Sequence, residues 1–561
     1  MANVAELLKQ HEATPNRVLF RQFMDNEWVD FKAHEMLELA QQWQSVFRAM
    51  GMLEGDRVAI CLKNSIHWVA VDQAALGMGL VCVPLYVDDN ASNIAYCIEN
   101  SGARLVVVEN DRIGKNLLGQ GLKDVRILSV KSEVAEGGRD GVENALLVLK
   151  GVRSDTAPFE VLDLPNKTLA TICYTSGTSG RPKGVMLSHD NMLGNVNSCF
   201  QLDIAKPEDT FLSFLPMSHM FERTGGYYLP LRVGAKVVFA RGINQLPDDL
   251  ATQAPTVIFA VPRIFEKFYG RIQASVKDSR FKRKAFEKLV DVGWRMEQGK
   301  GGILDHFQLP LLRAKVAQPI LERLGGKLRL AVVGGAALDS TIAKAFIAMG
   351  LPILHGYGMT EACPVISVNR PKGNVPESVG PALPDVEVKL GDHDELLARG
   401  PNVMMGYWQN EEATRDAIDA QGWLHTGDVA EIKDSRIYIR GRIKDIMVLS
   451  NGEKFSPQDA EMAIIGDDVF EQIVLVGEGR PFISMIAVTA NSNEKELIKR
   501  ANAKLQDLPR YIRVRRIITT KEPWTVDNGL LTPTLKVKRQ RVVEAFKERI
   551  NDLYAEGMGS D

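Results

Sequence analysis

At 561 residues the chain exceeds what one hydrophobic core normally supports, so two or more domains are expected. Hydrophobic residues make up 45% and charged residues 25%, an ordinary globular balance, and 68 basic against 70 acidic side chains leave a net charge of −2, which argues against nucleic acid as the main partner. Six cysteines (Cys61, Cys82, Cys97, Cys173, Cys199, Cys363) lie without CxxC pairs, mostly in apolar runs, and predict buried free thiols in a reducing compartment. The N-terminal run MANVAELLKQHEATPNRV has charges every few residues and no apolar segment, and no later run reaches the roughly 20 apolar residues of a span. A cytoplasmic protein is expected, with peripheral contact to the inner face of a membrane left open.

In residues 1–50, two short aromatic strands lead into an amphipathic helix closed by Gly51, an edge hairpin and its cover. RVAICL (57–62), a helix over 67–79, VCVPL (81–85), a helix through Ile98, and RLVVVE (104–109) alternate in the βαβ rhythm of a parallel sheet. Residues 131–155 are charged, Gly-containing and weakly periodic, and read as a connector. TICY (171–174) then predicts a short buried strand and SHDNMLGNV a helix start, so that strand, loop and helix follow one another.

The loop between them is YTSGTSGRPKG, residues 174–184. Its glycines permit backbone conformations that a Cβ forbids, its hydroxyls add donors and Lys183 a cation, which suits polyphosphate. It is not a Walker A loop, because Pro182 precedes Lys183 and Gly184 follows it. A surface turn without a ligand is the alternative.

Residues 211–240 predict a strand, a polar turn around His219, a helix and a strand; His219 is either a satisfied half-buried histidine or a pocket residue. The stretch 263–324 predicts long helices rich in Lys and Arg. Its most basic run, RFKRKAFEKLVDVGWRM, carries Arg280, Lys282, Arg283 and Lys284 and is either a solvated helix face or a membrane-facing patch. LRLAVVGGAAL (328–338) ends a strand in small residues that would let a flat ring approach or simply allow close packing. ILHGYGMTEACPVIS follows: Tyr357 offers a stacking face, Thr360 a donor, and Glu361 a hard oxygen ligand, which beside polyphosphate implies Mg²⁺. LLARGPNVMMGYW and GWLHTGDVAEI read as a smaller β region, in which Asp428 could cap a turn. The tail after about 445 has its own strands and helices, enough for a separate domain, and Lys536 within it would ordinarily be solvated surface.

Taken in order, YTSGTSGRPKG, VGGAAL, GYGMTE, WLHTGD, GRIKD and TLKVKR resemble the motifs of the adenylate-forming (AMP-forming) enzyme superfamily of acyl-CoA synthetases, peptide-synthetase adenylation domains and luciferases. The resemblance covers nearly the whole chain. It implies an α/β fold: a large N-terminal domain (1–441) with doubly wound βαβ sheets and a small β region, then a small mobile C-terminal α/β lid (442–561) with a hinge at 442–445 about Lys444. It assigns ATP contacts to Thr175, Ser176, Gly177, Thr178, Ser179, Gly180, Gly334, Gly335, Ala336, Tyr357, Gly358, Asp428 (ribose) and Arg442. Catalytic roles fall to Lys536, Thr360, Glu361 and Lys183, with Glu361 as the Mg²⁺ ligand and His219 beside the acyl pocket.

The lysine motif departs from the superfamily form PxTxxGKxxR, with Leu530 in place of Pro and Leu535 in place of Gly. The variant, with LPMSHMFERTGGYYLPL and the long helical insertion, resembles the long-chain fatty acyl-CoA synthetases. That implies ATP, CoA and a medium- to long-chain fatty acid as substrates, an acyl-adenylate intermediate, and no covalent enzyme intermediate. A domain that loads a carrier-protein thiol, a luciferase-like oxygenase and a silent nucleotide-binding module are the alternatives. Chain-length preference and oligomeric state are not legible.

Overall fold

The computed structural model describes residues 1–132, 141–152, 158–175, 181–506, 508–525, 528–532 and 537–557. The chain divides into two compact units, the first made of Met1–Thr175, Arg181–Val388 and Ala398–Leu424, the second of Lys389–Leu397 and the chain from His425 onward.

Two eight-stranded sheets build the first unit. One runs in the order Gly406–Tyr407, Lys183–Ser188, Leu169–Thr175, Val81–Pro84, Arg57–Cys61, Leu105–Asn110, Arg126–Lys131, Val142–Asn144. Its strands from Leu169–Thr175 to Val142–Asn144 are parallel, as the βαβ rhythm predicts. The other runs Val365–Val368, Ile353–Gly358, Leu330–Val333, Val257–Ala260, Thr210–Ser213, Lys236–Phe239, Val18–Met24, Glu27–Lys32. The N-terminal hairpin forms its far edge, and the helix Ala33–Ala49 follows as expected.

Strand residues alternate between cores because every second side chain points to the opposite face. Val58 and Ile60 enter the large central core, Ala59 and Cys61 the core outside the first sheet. Likewise Val257 and Phe259 face the central core, and Ile258 and Ala260 the core outside the second sheet. Both sheets are therefore covered on both faces, and the helix Ile66–Gly77, buried at every position but His67, lies in the central layer. All six cysteines are buried and free, as composition predicts.

The structure corrects the sequence in two places. The polyphosphate-type loop does not lead into a helix: Lys183–Ser188 is a strand antiparallel to Leu169–Thr175, pairing Thr175 with Lys183, and the helix His189–Phe200 begins only afterwards on the Ser188 cap. The apolar run VMLS finds its partner in TICY, and the two strands pair antiparallel inside the sheet, with Gly406–Tyr407 on the outer side of Lys183–Ser188. Nor is 131–155 merely a connector, since it contains the parallel edge strand Val142–Asn144 and the helix Ala145–Gly151.

In the second unit, Leu424–Lys433 and Arg436–Arg442 form an antiparallel hairpin. A three-stranded sheet, Gln472–Val476, Ile483–Val488 and Val514–Thr520, carries helices on both faces: Ile473 and Leu475 join one core, Val474 and Val476 the other. The helix expected from Glu494 is Glu494–Lys504.

Candidate active site

In an open α/β sheet, ligands collect outside the carboxyl ends of parallel strands. Four motif segments of the second sheet leave such ends: LPMSH after Thr210–Ser213, VPR after Val257–Ala260, GGAA after Leu330–Val333, and the MTE turn after Ile353–Gly358.

The GGAA and GYGMTE segments are held together. Val333 pairs with His355, and the buried His355 donates from Nε2 to the Ala336 carbonyl at 3.1 Å. Burial lowers the His355 pKa against the opposing pull of that bond, so the ring is neutral at pH 7 and serves to fix the backbone. Gly334 is buried, while Gly335 and Ala336 are exposed; Gly335 has φ +83°, which favours glycine. At Gly358 a Cβ would lie 1.8 Å from the Pro364 carbonyl, so only glycine permits the turn back. Tyr357, Thr360 and Glu361 are half-buried, with Thr360–Ala362 forming a 3₁₀ turn.

The short strand Gly406–Tyr407, which motif reasoning left in the smaller β region without a role, joins this turn to the strand after the hairpin loop. Tyr407 pairs with Val185, and the Trp408 N–H donates to the Gly184 carbonyl at 2.7 Å. On its other side the Met404 N–H donates to the Glu361 carbonyl at 2.9 Å. The Tyr407 hydroxyl donates to Glu361 Oε1 at 2.8 Å, and Lys183 Nζ stands 5.0 Å from the centre of the Tyr407 ring. Glu361, Tyr407 and Lys183 thus form one chain of contacts. Burial, then the Glu361 charge, push the Tyr407 pKa up, so the phenol stays a donor. Only the aromatic in GYW hints at this in sequence; the contact depends on a non-local strand register.

Under the role that the motif resemblance implies for Glu361, Tyr407→Phe is expected to leave the fold intact and to lower ATP-dependent turnover about tenfold, because it removes a charge-assisted hydrogen bond to Glu361. The half-saturating Mg²⁺ concentration in a pyrophosphate-release assay should rise with it.

His219 sits in a turn pinned from the first sheet. Asn64 donates to the Leu215 carbonyl at 2.7 Å and accepts from the Met217 N–H at 2.9 Å, and Ser218 donates to the Leu85 carbonyl at 2.7 Å. The half-buried His219 accepts the Phe221 N–H at Nδ1, 3.3 Å away. The next helix opens with the π-helical stretch Glu222–Tyr228. There Arg223, wholly buried, pairs with Asp72 of the central helix and donates to Tyr228 Oη and Thr171 Oγ1, each at 2.9 Å. Asp72 also accepts from the hydroxyls of Tyr228 and Tyr227 at 2.9 and 3.2 Å. Burial opposes the Arg223 charge, but Asp72 and its neighbours outweigh it and hold the pKa well above the usual guanidinium range.

Glu222 beside it is also buried, and burial raises its carboxyl pKa to about 8 against the pull of Ser213. A folded-state pKa above the unfolded value of 4.5 means that the fold holds a proton the unfolded chain releases. Stability is therefore expected to fall as pH rises from about 5 to about 8, by up to about 1.4 kcal/mol per pH unit from this group. Glu222→Gln should remove that part of the slope in denaturant titrations across the same range.

In the second unit, Asp428 is buried and pairs across the hairpin with Arg442, whose Nε donates to Asp428 Oδ1 at 3.1 Å. The turn before it is fixed by Thr426 Oγ1 donating to Leu396 O at 2.7 Å and the Gly427 N–H donating to Glu395 Oε1 at 2.9 Å. WLHTGD and GRIKD thus meet in one place. Lys444 lies in the 3₁₀ turn Ile443–Asp445, its side chain outside the described residues. Lys536 also lies outside them, as do Ser176, Gly177, Thr178, Ser179 and Gly180. Leu531 and Val537, on either side of the undescribed residues 533–536, form an antiparallel bridge, and Arg539 is anchored to half-buried Glu461 at 2.5 Å and the Leu475 carbonyl at 2.9 Å.

Two sheets covered on both faces, with motif turns at the carboxyl ends of the second, and a small α/β unit after them have the architecture of an AMP-binding enzyme. The chain belongs to that family: the AMP-binding enzyme model matches residues 7–408 and the AMP-binding enzyme C-terminal domain residues 444–558. It is similar to the long-chain-fatty-acid–CoA ligase FadD15 of Mycobacterium bovis, 29% identical over 98% of this chain and 97% of the relative. The peroxisomal long chain acyl-CoA synthetase 7 of Arabidopsis thaliana is 30% identical over 90% of this chain and 79% of its own. ATP-bound MatB of Rhodopseudomonas palustris shares the fold, with TM-score 0.73 and 22% identity over 97% of this chain and 99% of that one.

Proposed function

We propose that the protein is an AMP-forming fatty acid–CoA ligase. The observation that carries this reading is the contact chain from Lys183 through Tyr407 to Glu361, which joins the hydroxyl- and glycine-rich loop to the carboxylate turn. The long-chain ligases that the chain resembles over nearly its full length support the substrate class.

A carboxylate oxygen of the fatty acid attacks the α-phosphorus of ATP; the bond to the β-phosphate oxygen breaks and pyrophosphate leaves with its electron pair. The CoA thiolate then attacks the acyl carbon of the mixed anhydride, and AMP leaves. Thr175, Lys183, Thr360 and residues 176–180 hold the phosphates, Gly334, Gly335, Ala336, Tyr357 and Gly358 the adenine, and Asp428 the ribose hydroxyls, with Arg442 orienting Asp428 at 3.1 Å. Lys536 supplies positive charge to the adenylation transition state, Lys444 is the hinge, and His219 borders the acyl pocket. Preorganised charge carries the rate here, and no protein nucleophile is required.

Glu361 fits Mg²⁺. It is a half-buried hard oxygen donor that accepts from the Tyr407 hydroxyl, and a single carboxylate suits an ion whose other ligands are phosphate oxygens and water. Such an ion, when bound, neutralises the charge of the pyrophosphate leaving group.

Incubation with ATP, Mg²⁺ and carboxylic acids of graded length, with CoA or with a phosphopantetheinylated carrier protein, tests the reading. AMP, pyrophosphate and acyl-CoA in equal amounts are expected from aliphatic acids. Acyl transfer to the carrier but not to free CoA would instead select the carrier-loading enzyme.

A further inference from the structure

The helix Ile303–Leu312 buries only Leu309, although its sequence ILDHFQLPLL is mostly apolar. Ile303, Leu304, Phe307 and Leu311 are 79, 71, 75 and 56% exposed. The spacing i, i+1, i+4, i+8 gathers them on one side of the helix, opposite Leu309. Single exposed apolar residues are commonplace, but four large ones on one helix face form a patch that a soluble surface seldom carries.

The neighbouring helix Arg280–Glu297 packs alongside, fixed by Arg295, which donates to Asp305 from Nε at 3.1 Å and from Nη2 at 2.8 Å. The flank bearing Arg295 also bears Lys284 and Lys288, at i, i+4, i+11, and exposed Phe281 stands three residues before Lys284. Lys300 and Lys315, both exposed, bracket the apolar helix. Residues 280–315 hold nine basic and four acidic side chains, a net +5 in a chain of net −2. An apolar helix face with an exposed lysine near each end and a basic helix packed alongside suits a surface of hydrocarbon beneath anionic headgroups, whereas a protein groove would call for no such excess of one charge. No helix among the described residues is long and apolar enough to cross a membrane, so the contact is one of lying on the surface.

We infer that the Ile303, Leu304, Phe307 and Leu311 face is a docking surface for an anionic lipid bilayer, with Lys284, Lys288, Lys300 and Lys315 contacting the headgroups. The apolar component therefore lies on the second of the two helices, beyond the basic run that drew attention in the sequence.

The test is flotation of the full-length protein with vesicles of phosphatidylcholine alone or of phosphatidylcholine with phosphatidylglycerol. Wild type is expected to rise with the anionic vesicles and to do so less in high salt. Leu304→Gln with Phe307→Gln should lower the partition coefficient at least about tenfold. Because both side chains are exposed, the melting temperature should stay that of wild type. Replacing the four lysines with Gln should abolish the preference for anionic vesicles. Wild type that stays at the bottom of the gradient, or a double variant that floats equally well, overturns the inference. So does a wild-type dimer that the double variant converts to monomer without any flotation, which would give the face to a second copy. Flotation needs no turnover, so its outcome stands apart from that of the ligase reading.

Discussion

Glu361→Gln is expected to slow fatty-acid-dependent pyrophosphate release about 10²- to 10³-fold, the scale on which a preorganised charge at a phosphoryl transition state acts. Gln keeps the size of the side chain and can still accept from the Tyr407 hydroxyl 2.8 Å away, so the strand at Gly406–Tyr407 should stay in register. What Gln lacks is the anion. Half-saturating Mg²⁺ should therefore rise strongly while the melting temperature of the free protein changes little, and the loss should exceed that of Tyr407→Phe. Equal Mg²⁺ dependence in variant and wild type would remove Glu361 as the metal ligand.

Arg223→Met should cost about 3–5 kcal/mol of stability, because it leaves Asp72 charged and buried after its ion-pair partner is gone. Three further hydrogen-bond partners, Thr171 and the hydroxyls of Tyr227 and Tyr228, belong to the same network, which ties the helix Ile66–Gly77, a strand of the first sheet and the π-helical stretch together. Chemical denaturation measures the loss. Asp72→Leu combined with Arg223→Met should recover part of it, since removing both charges also removes the desolvation cost. A double variant no more stable than the single one would mean that packing, not charge, dominates the site.

Local features carried the sequence reading where they had local causes. The parallel strands are legible because a strand buried on both faces is apolar throughout, as in RLVVVE, and the turn at GYGMTE is legible because Gly358 has no room for a Cβ. The hairpin after YTSGTSGRPKG was hidden because VMLS fits a strand or a helix lead-in equally well until its partner TICY is known. Tyr407 was hidden for the same reason, since its role arises from pairing between residues more than 200 positions apart in sequence, Val185 and Tyr407. Arg223 sits in a run dense with apolar residues, where only the burial of Asp72 opposite reveals an ion pair. The exposed face of ILDHFQLPLL left no local sign either, because apolar content at helical spacing looks the same whether a face meets a core or solvent.

The most direct measurement is fatty-acid-dependent exchange of labelled pyrophosphate into ATP, with Mg²⁺ present and CoA absent. Exchange that requires the acid and disappears in Glu361→Gln is the result expected of a site that makes an acyl-adenylate reversibly. No exchange with any aliphatic acid, or release of inorganic phosphate and ADP in its place, would contradict it.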